Sequence, residues 1–179
     1  MELTKENVAL IAAVGLLVGT LITNFISLLI HFSKERTEKQ KQRKDRLRLK
    51  GEELFKVILL HKEFCCLSHL DWVKVIDKTI TYSQMCDFAK NRSGGDPEKK
   101  DYAVKMDFIG GIYFPRTRER LAQAQAGMRI ANQYYFLLHD LSKIKDPSKA
   151  ITIILDASEK YSQNIDDILN ELAMEIRSL

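Results

Sequence analysis

The stretch from Val8 to Ile30 contains no charged residue and consists mostly of Val, Ala, Leu, Ile and Phe. A helix rises about 1.5 Å per residue, so about 20 apolar residues cross the hydrocarbon core of a bilayer. A core helix of a soluble protein rarely lacks charge over such a length, because its solvent-facing side carries polar residues. The stretch therefore predicts a transmembrane helix at residues 8–32, preceded by a short external N-terminus at residues 1–7.

A cleaved signal peptide is the alternative interpretation of this stretch. Signal peptides begin with basic residues, have an apolar run of about 7–15 residues and end at a site of small residues. Here the segment from Glu2 to Glu6 is slightly acidic, the apolar run is longer, and the sequence after it, from His31 to Arg36, has no Ala-x-Ala-like site. These differences favour an uncleaved anchor.

The charges that flank the predicted span differ between its two sides. Lys5 is the only Lys or Arg before it, and a basic neck follows it at residues 33–46, with Lys34, Arg36, Lys39, Lys41, Arg43, Lys44 and Arg46. Basic flanks stay in the cytoplasm, because their translocation is unfavourable and anionic lipids attract them. We therefore expect the N-terminus outside and the C-terminal domain in the cytoplasm. The odd set Cys65, Cys66 and Cys86 agrees with reduced thiols there.

The neck at residues 33–46 contains no apolar residue, and its composition favours a solvated helix. It either acts as a stop-transfer and topology signal or contacts acidic membrane lipid. No aromatic residue is interleaved to stack on bases, and the rest of the chain is close to neutral, so no nucleic-acid partner is expected.

A stripe of small residues follows one ridge of the predicted span. Gly15, Gly19, Thr23 and Ser27 recur every four residues, and Asn24 flanks them. Small residues allow two helix backbones to approach, and hydroxyl groups can bond across the contact or to their own backbone. The stripe predicts self-association or pairing with another membrane helix.

Residues 47–179 have the composition of one helical domain, and we predict an all-α cytoplasmic bundle of four or five helices. Apolar periodicity begins at Leu47 and indicates a helix to about Leu67. Ser68 and Asp71 resemble a capping box and predict that a new helix starts there, continuing through Ile80. Residues 92–97 form the clearest loop signal.

The second half of this domain is predicted as three helices. One spans Asp101 to Phe114, and Pro115 starts the next. The seam of that helix consists of Leu121, Ala124, Met128, Ala131, Tyr135 and Leu138. Asp146 and Pro147 mark the start of the last helix. Its apolar stripe is Ile151, Ile154, Ser158, Tyr161, Ile165, Ile168, Leu172 and Leu179. An intermolecular coiled coil of the last two helices is the alternative, but the short connection between them favours folding back within the chain.

Few residues suggest chemistry. His61, Cys65 and His69 recur every four residues and are ligand types suited to zinc, but the predicted break at Ser68 would move His69 away. A cysteine nucleophile activated by a histidine lacks any supporting motif. Arg116, Arg118, Arg120 and Arg129 are expected to pair with acidic neighbours. The sequence therefore predicts no catalytic residue, no bound metal and no cofactor, with His61, Cys65 and His69 as weak metal candidates.

Three classes of function are compatible with these patterns. The favoured one is a single-pass membrane-anchored interaction or scaffold protein that holds an unknown cytoplasmic protein partner at the membrane face. The second is a membrane-active effector or small channel subunit that assembles through its transmembrane helix. The third is a membrane-bound enzyme with an unrecognised site. The size of the assembly separates the first two, because a pore needs several spans around an axis.

Overall fold

The computed structural model describes the backbone of residues 5–93 and 101–179 and the side chains of residues 15–92 and 101–179. Within these ranges the chain is all-helical, and no β-strand occurs. The helices are α1 (Lys5–Ile76), α2 (Tyr82–Ser93), α3 (Tyr102–Tyr113), α4 (Pro115–Gly127), α5 (Arg129–Tyr135) and α6 (Pro147–Ser178), with a 3-10 turn at Leu141–Lys143. Residues 1–4 of the predicted external N-terminus and residues 94–97 of the predicted loop lie outside the described residues.

By its internal contacts the chain divides into two units, residues 1–46 and residues 47–179. In the first unit, the N-terminal part of α1 is long and apolar enough to cross a membrane, and none of that apolar window is buried. The residues of the basic neck continue as helix and are exposed, apart from half-buried Glu35. The prediction of one apolar helix of membrane-spanning length is confirmed.

The prediction of a new helix at Ser68 is wrong, because α1 continues through this residue to Ile76. The Ser68 hydroxyl donates a hydrogen bond of 2.8 Å to the carbonyl oxygen of Phe64, one turn earlier. This bond is typical of serine inside a helix and not of an N-cap. Asp71, the acid of the predicted capping box, forms an ion pair with Arg92 of α2 instead.

The real break lies between Ile76 and Tyr82. Lys78 adopts the left-handed conformation with φ of 60°, and the Thr79 N–H donates to the carbonyl oxygen of Lys74 at 2.9 Å. This is the geometry of a Schellman helix end. A capping box then starts α2.

That capping box consists of Thr81 and Gln84. The Thr81 N–H donates to the Gln84 side-chain oxygen at 2.8 Å, and the Gln84 N–H donates to the Thr81 hydroxyl at 3.2 Å. At its other end α2 includes Arg92 and Ser93, so the predicted loop begins at least two residues too early.

The helix starting at Pro115 is confirmed, but the predicted Leu121–Leu138 seam is divided between α4, α5 and the turn that follows Tyr135. The Met128 N–H donates to the Gln125 carbonyl oxygen at 3.1 Å, a three-residue spacing that tightens the end of α4. Most seam residues are buried on both sides of this break, although Tyr135 is exposed. The described chain therefore has six helices where four or five were expected for the bundle.

Helix α6 begins as predicted. The Asp146 carboxylate accepts a hydrogen bond of 2.9 Å from the Lys149 N–H, and Pro147 occupies the first turn. The stripe residues that are buried are Ile154, Tyr161, Ile165, Ile168 and Leu172. Helices α4 and α5 of the same chain pack against α6, so this apolar face is covered within a helical bundle.

Two apolar clusters form the core of residues 47–179. The first joins α1, α3, α4 and the C-terminal half of α6 around buried residues that include Leu54, Ile58, Ile109, Leu121, Ile165 and Leu172. The second joins the end of α1, α2, α5 and the start of α6 around residues that include Val75, Met85, Ala131, Leu138 and Ile154. Helix α6 contributes to both clusters.

Candidate functional site

A cavity of about 660 Å³ lies in the 47–179 unit, bounded by the last turns of α1, by α2 and by the residues around the α4–α5 break. Cavities of about 300–1,000 Å³ are the usual size of small-molecule sites. Its apolar walls include Phe64, Trp72, Met85, Met128 and Tyr135. The cavity is therefore large enough and apolar enough for a small organic molecule.

The α1 wall of the cavity exists because the helix does not break at Ser68. His61, Cys65 and His69 recur every four residues, and Trp72 follows three residues later, so all four lie on one helix face and line the cavity. The Trp72 ring lies 4.7 Å from the His69 ring and 5.4 Å from that of Tyr135, measured between centroids. The aromatic contacts join the α1 wall to α5.

His69 is the most deeply buried polar group of the cavity wall, with 2% of its surface exposed. Its Nδ1 atom is buried and has no hydrogen-bond partner among the described residues. Burial lowers the pKa of His69, and a side-chain hydrogen bond with Asn132 opposes this shift. Buried polar atoms are nearly always paired, so the unpaired Nδ1 atom of His69 is an exception among the described residues.

An ion pair between Asp71 and Arg92 forms a second polar part of the wall. Asp71 is only 4% exposed, and one terminal nitrogen of the Arg92 guanidinium donates to its carboxylate. The Nε atom of Arg92 is buried without a hydrogen-bond partner among the described residues. Sequence reasoning missed this pair and the cavity, because the pair joins residues 21 positions apart on two helices.

His61 and Cys65 contact each other, with 3.7 Å between Nε2 and Sγ. Burial raises the pKa of the Cys65 thiol to about 11 and lowers the pKa of His61. At neutral pH the pair is therefore a thiol beside a neutral imidazole. An activated cysteine nucleophile needs a lowered thiol pKa, so this contact provides no activation.

The weak metal candidates His61, Cys65 and His69 do share a helix face, so the objection based on a break at Ser68 is wrong. A second objection replaces it. His61 and His69 are eight residues apart, or about 12 Å along the helix, whereas zinc ligands lie about 2.0–2.3 Å from one ion. Among the described residues, no group of three or more His, Cys, Asp or Glu side chains is arranged to hold a metal.

Helix α3 carries an exposed apolar face that sequence reasoning did not single out. Val104, Phe108 and Ile112 recur every four residues and are 67%, 63% and 56% exposed. Met106 and Ile109 on the other side of the helix are buried in the core. The spacing was visible in the sequence, but periodicity alone does not show which of two apolar faces a bundle covers.

The exposed face borders a groove of about 250 Å³ between α3 and α1. The α3 side is lined by Val104, Lys105, Phe108, Ile109 and Tyr113, and the α1 side by Lys50 and Glu53. The Lys50 ammonium lies 2.6 Å from the Glu53 carboxylate, so this rim is a neutral ion pair. The groove is apolar with a polar edge, which is typical of a surface that receives a helix.

The residues of the predicted membrane stripe are exposed. A Cβ atom added at Gly15 or Gly19 would meet nothing within 4 Å. The Thr23 hydroxyl donates to the Gly19 carbonyl oxygen at 2.8 Å, and Thr20 makes the same bond one turn earlier, to Leu16. These two hydroxyls are thus satisfied by their own helix, whereas Asn24 and Ser27 are exposed polar residues.

Some residues of the charged clusters form local ion pairs. In the neck, the Lys39 ammonium lies 2.6 Å from the Glu35 carboxylate. Arg118 pairs with Asp107 at 2.6 Å, and Arg120 pairs with Glu171 of α6. The expected pairing with acidic neighbours is therefore found for Arg118 and Arg120, whereas Arg116 and Arg129 form no ion pair with the described residues.

Comparison of the chain with protein-family models, with curated proteins and with solved structures finds no match. The functional interpretation therefore rests on the sequence and structure of the chain alone. Two of them point to binding: the exposed face of α3 and the cavity beside His69.

Proposed function

We propose that the protein is a single-pass membrane-anchored interaction protein, whose helical domain holds a protein partner at the cytoplasmic face of a membrane. The observation that carries this proposal is the exposed α3 face of Val104, Phe108 and Ile112. Each of these side chains is more than half exposed, although a folded domain gains free energy by burying them. A partner that covers the face recovers that free energy on binding.

The partner that fits this face is an amphipathic helix of another protein. Three apolar residues at four-residue spacing extend over about 12 Å of helix, and a second helix presents its own apolar positions at the same period. The adjoining groove lined by Phe108 and Tyr113 receives apolar side chains, and the Lys50–Glu53 pair forms a polar rim. Such helix-in-groove contacts are common in binding domains.

The membrane anchor is supported by the exposed apolar helix near the N-terminus and by the basic neck after it. In water, the exposed Leu, Ile and Phe side chains of this segment would be unfavourable, whereas a bilayer solvates them. The neck places positive charge beside anionic lipid headgroups on the cytoplasmic side.

The channel alternative receives less support. Thr20 and Thr23 bond their own backbone, so these hydroxyls are engaged, while Asn24 remains available for contact with another helix. The enzyme alternative would need an activated group, and the protonated Cys65 thiol is not one. Mass measurement in mild detergent separates the tether from the channel, because a tether works as a monomer or dimer and a pore requires more copies.

The topology is tested with reporters at the two ends. A reporter fused after Leu179 is expected in the cytoplasm, and a tag before Met1 outside. Protease added to sealed, right-side-out cells should remove the N-terminal tag and leave the C-terminal reporter intact. Digestion of the C-terminal reporter would reverse the proposed orientation.

The α3 interface is tested with a photo-crosslinking amino acid at position 108 of the full chain in its native membrane. We expect one discrete protein product, which is lost when Ile112→Asp is added. Position 136 is the matched control, because Phe136 is another exposed phenylalanine and lies outside α3. Equal products at the two positions, or crosslinks at position 108 to lipid alone, would contradict the proposal.

A further inference from the structure

We propose that the cavity bounded by α1, α2 and the α4–α5 break binds an uncharged aromatic molecule, which packs against the rings of Trp72 and Tyr135. This binding site is separate from the α3 face and goes beyond the proposed interaction function. The proposal rests on the size of the cavity, on the aromatic surface that its walls leave exposed and on the pairing of its charges.

The size and position of the cavity suit a small organic ligand. Its volume of about 660 Å³ lies well within the range of about 300–1,000 Å³ that is usual for small-molecule sites. The cavity also borders both core clusters, since Met128 belongs to the first cluster and Met85 to the second. A molecule that fills the cavity therefore contacts both clusters of the domain.

Aromatic side chains on two helices favour an aromatic ligand. Trp72 of α1 and Tyr135 of α5 lie 5.4 Å apart between ring centroids, with 42° between the ring planes. Phe64 and Tyr135 line the cavity and are 38% and 42% exposed. Aromatic rings that pack in offset or edge-to-face geometry gain free energy beyond that of the buried area. An aromatic ligand covers this exposed surface and makes such contacts, whereas a saturated molecule of the same skeleton only covers it.

Two methionine side chains in the walls favour the same class of ligand. Met85 of α2 and Met128 at the α4–α5 break are both buried, and both line the cavity. A thioether sulfur makes favourable contacts with aromatic rings, often at the ring edge, and the unbranched side chain adapts to varied shapes. These walls are therefore suited to the edges of an aromatic ring system.

The charges of the wall favour a ligand without charge. Asp71 and Arg92 form an ion pair with each other, and Lys90 has an interaction of its own. Burial lowers the pKa values of His61 and His69, so both rings are neutral at neutral pH. A charged ligand would lose its hydration without gaining an opposite charge that is available to pair with it. An uncharged ligand avoids this penalty.

Trp72 provides a direct measurement, because it is the only tryptophan of the sequence and lines the cavity. The experiment uses the full chain in lipid nanodiscs and measures quenching of Trp72 fluorescence by brominated probes. Empty nanodiscs are titrated in parallel to correct for probe that dissolves in the lipid. The probes are 4-bromobiphenyl, its saturated analogue 4-bromobicyclohexyl and the anion 4′-bromobiphenyl-4-carboxylate.

We expect saturable quenching by 4-bromobiphenyl. The saturated analogue should bind about fivefold more weakly, because it lacks the ring contacts. The carboxylate should bind at least about tenfold more weakly than 4-bromobiphenyl, because its charge has no available partner. Equal or tighter binding of the saturated analogue would overturn the aromatic ligand, and equal or tighter binding of the carboxylate would overturn the uncharged one. The absence of saturable quenching by all three probes would overturn the site.

A variant that fills the cavity tests the location of the ligand. Ala89 of α2 is half-buried and lines the cavity, so Ala89→Phe should weaken binding of 4-bromobiphenyl at least about tenfold by occupying part of its space. Ala126→Phe is the matched control, since Ala126 is exposed and does not line the cavity, and it should leave the affinity unchanged. Equal affinities of the two variants would contradict the location. If Ala89→Phe does not fold, the probe comparison on the unaltered protein decides the question, because the quenched residue Trp72 is itself part of the cavity wall.

Discussion

Gly19 and Gly51 lie on the same helix, α1, in opposite surroundings. A Cβ atom added at Gly19 would meet nothing within 4 Å, whereas one at Gly51 would lie 2.5 Å from Cγ1 of Ile176 and 3.1 Å from Cζ of Phe114. At Gly51 the missing side chain allows α1 to approach α6 and the start of α4 within the 47–179 unit. At Gly19 the same absence leaves a smooth helix surface.

The apolar residues of the two regions show the same difference. Between Gly15 and Phe32 every residue is exposed, although the segment is the most apolar of the chain. In α6, by contrast, Ile154, Ile165 and Leu172 are completely buried. Apolar residues stabilise a fold only where other apolar groups cover them. The N-terminal segment thus depends on a different solvent or on another helix, and residues 47–179 provide their own core.

The largest expected effect on stability is at Ile165, which is completely buried. Ile165→Asp places a charge in the first core cluster, where it has no partner, and should reduce the free energy of unfolding of the domain by about 4 kcal/mol or more. Lys160→Ala on the exposed side of the same helix should change it by less than about 0.5 kcal/mol. Thermal unfolding followed by circular dichroism measures both, and equal effects would contradict the assigned buried face.

The next effect tests the close approach at Gly51. Gly51→Val should reduce the free energy of unfolding by about 1–3 kcal/mol, because the new side chain overlaps Ile176 and Phe114. Gly127→Ala is the control, since its Cβ atom would meet nothing within 4 Å and alanine favours helix by up to about 1 kcal/mol. Urea unfolding compares the two variants, and a stabilised Gly51→Val protein would show that the helices do not approach there.

The third prediction tests whether another membrane helix packs against the open surface at Gly19. If a second membrane helix uses the open surface, Gly19→Leu should weaken association by about 1–2 kcal/mol or less, while the span remains hydrophobic enough to insert. Leu17→Ile is the matched control off the stripe. A membrane dimerisation assay measures both. If the unaltered span does not associate, the stripe has no role, and if Gly19→Leu associates normally, the contact lies elsewhere.

The smallest expected effect is the pH dependence of the stability of the 47–179 domain. Burial lowers the pKa values of His61 and His69 below the ordinary value of 6.5. Below this pH the unfolded chain binds protons that the folded chain resists, so stability is lost as the pH falls from about 6.5. His61→Gln should reduce the slope of melting temperature against pH between about 5.5 and 6.5. Stability that rises on acidification would contradict the assignment.

The features that were predictable from the sequence are those set by neighbours along the chain. The uncharged run before Ile30 indicated a helix of spanning length without any tertiary contact. Asp146 and Pro147 marked the start of α6, because a cap and a fixed φ act within one turn. The periodic positions around Ile165 identified the buried face of α6, since one helix face holds residues three and four apart.

The tertiary structure decided between signals that are locally equivalent. Ser68 with Asp71 and Thr81 with Gln84 both resemble capping boxes, and only the second is used. Around Ser68, α1 continues as a helix, which places His69 and Trp72 on the cavity wall and allows Asp71 to pair with Arg92. The residues that make these contacts with α1 lie on other helices, so the sequence pattern of α1 alone does not predict them.

The sequence by itself therefore determined that the protein is helical, where its apolar segment lies and how α6 starts and faces, because hydrogen bonds and side-chain spacing within one helix are local. Only the tertiary structure decided that the described residues leave the α3 face of Val104, Phe108 and Ile112 uncovered and that His69, with its unpaired Nδ1 atom, is buried beside a cavity. The physical reason is that periodicity records which residues share a face, whereas burial depends on what the rest of the chain places against that face.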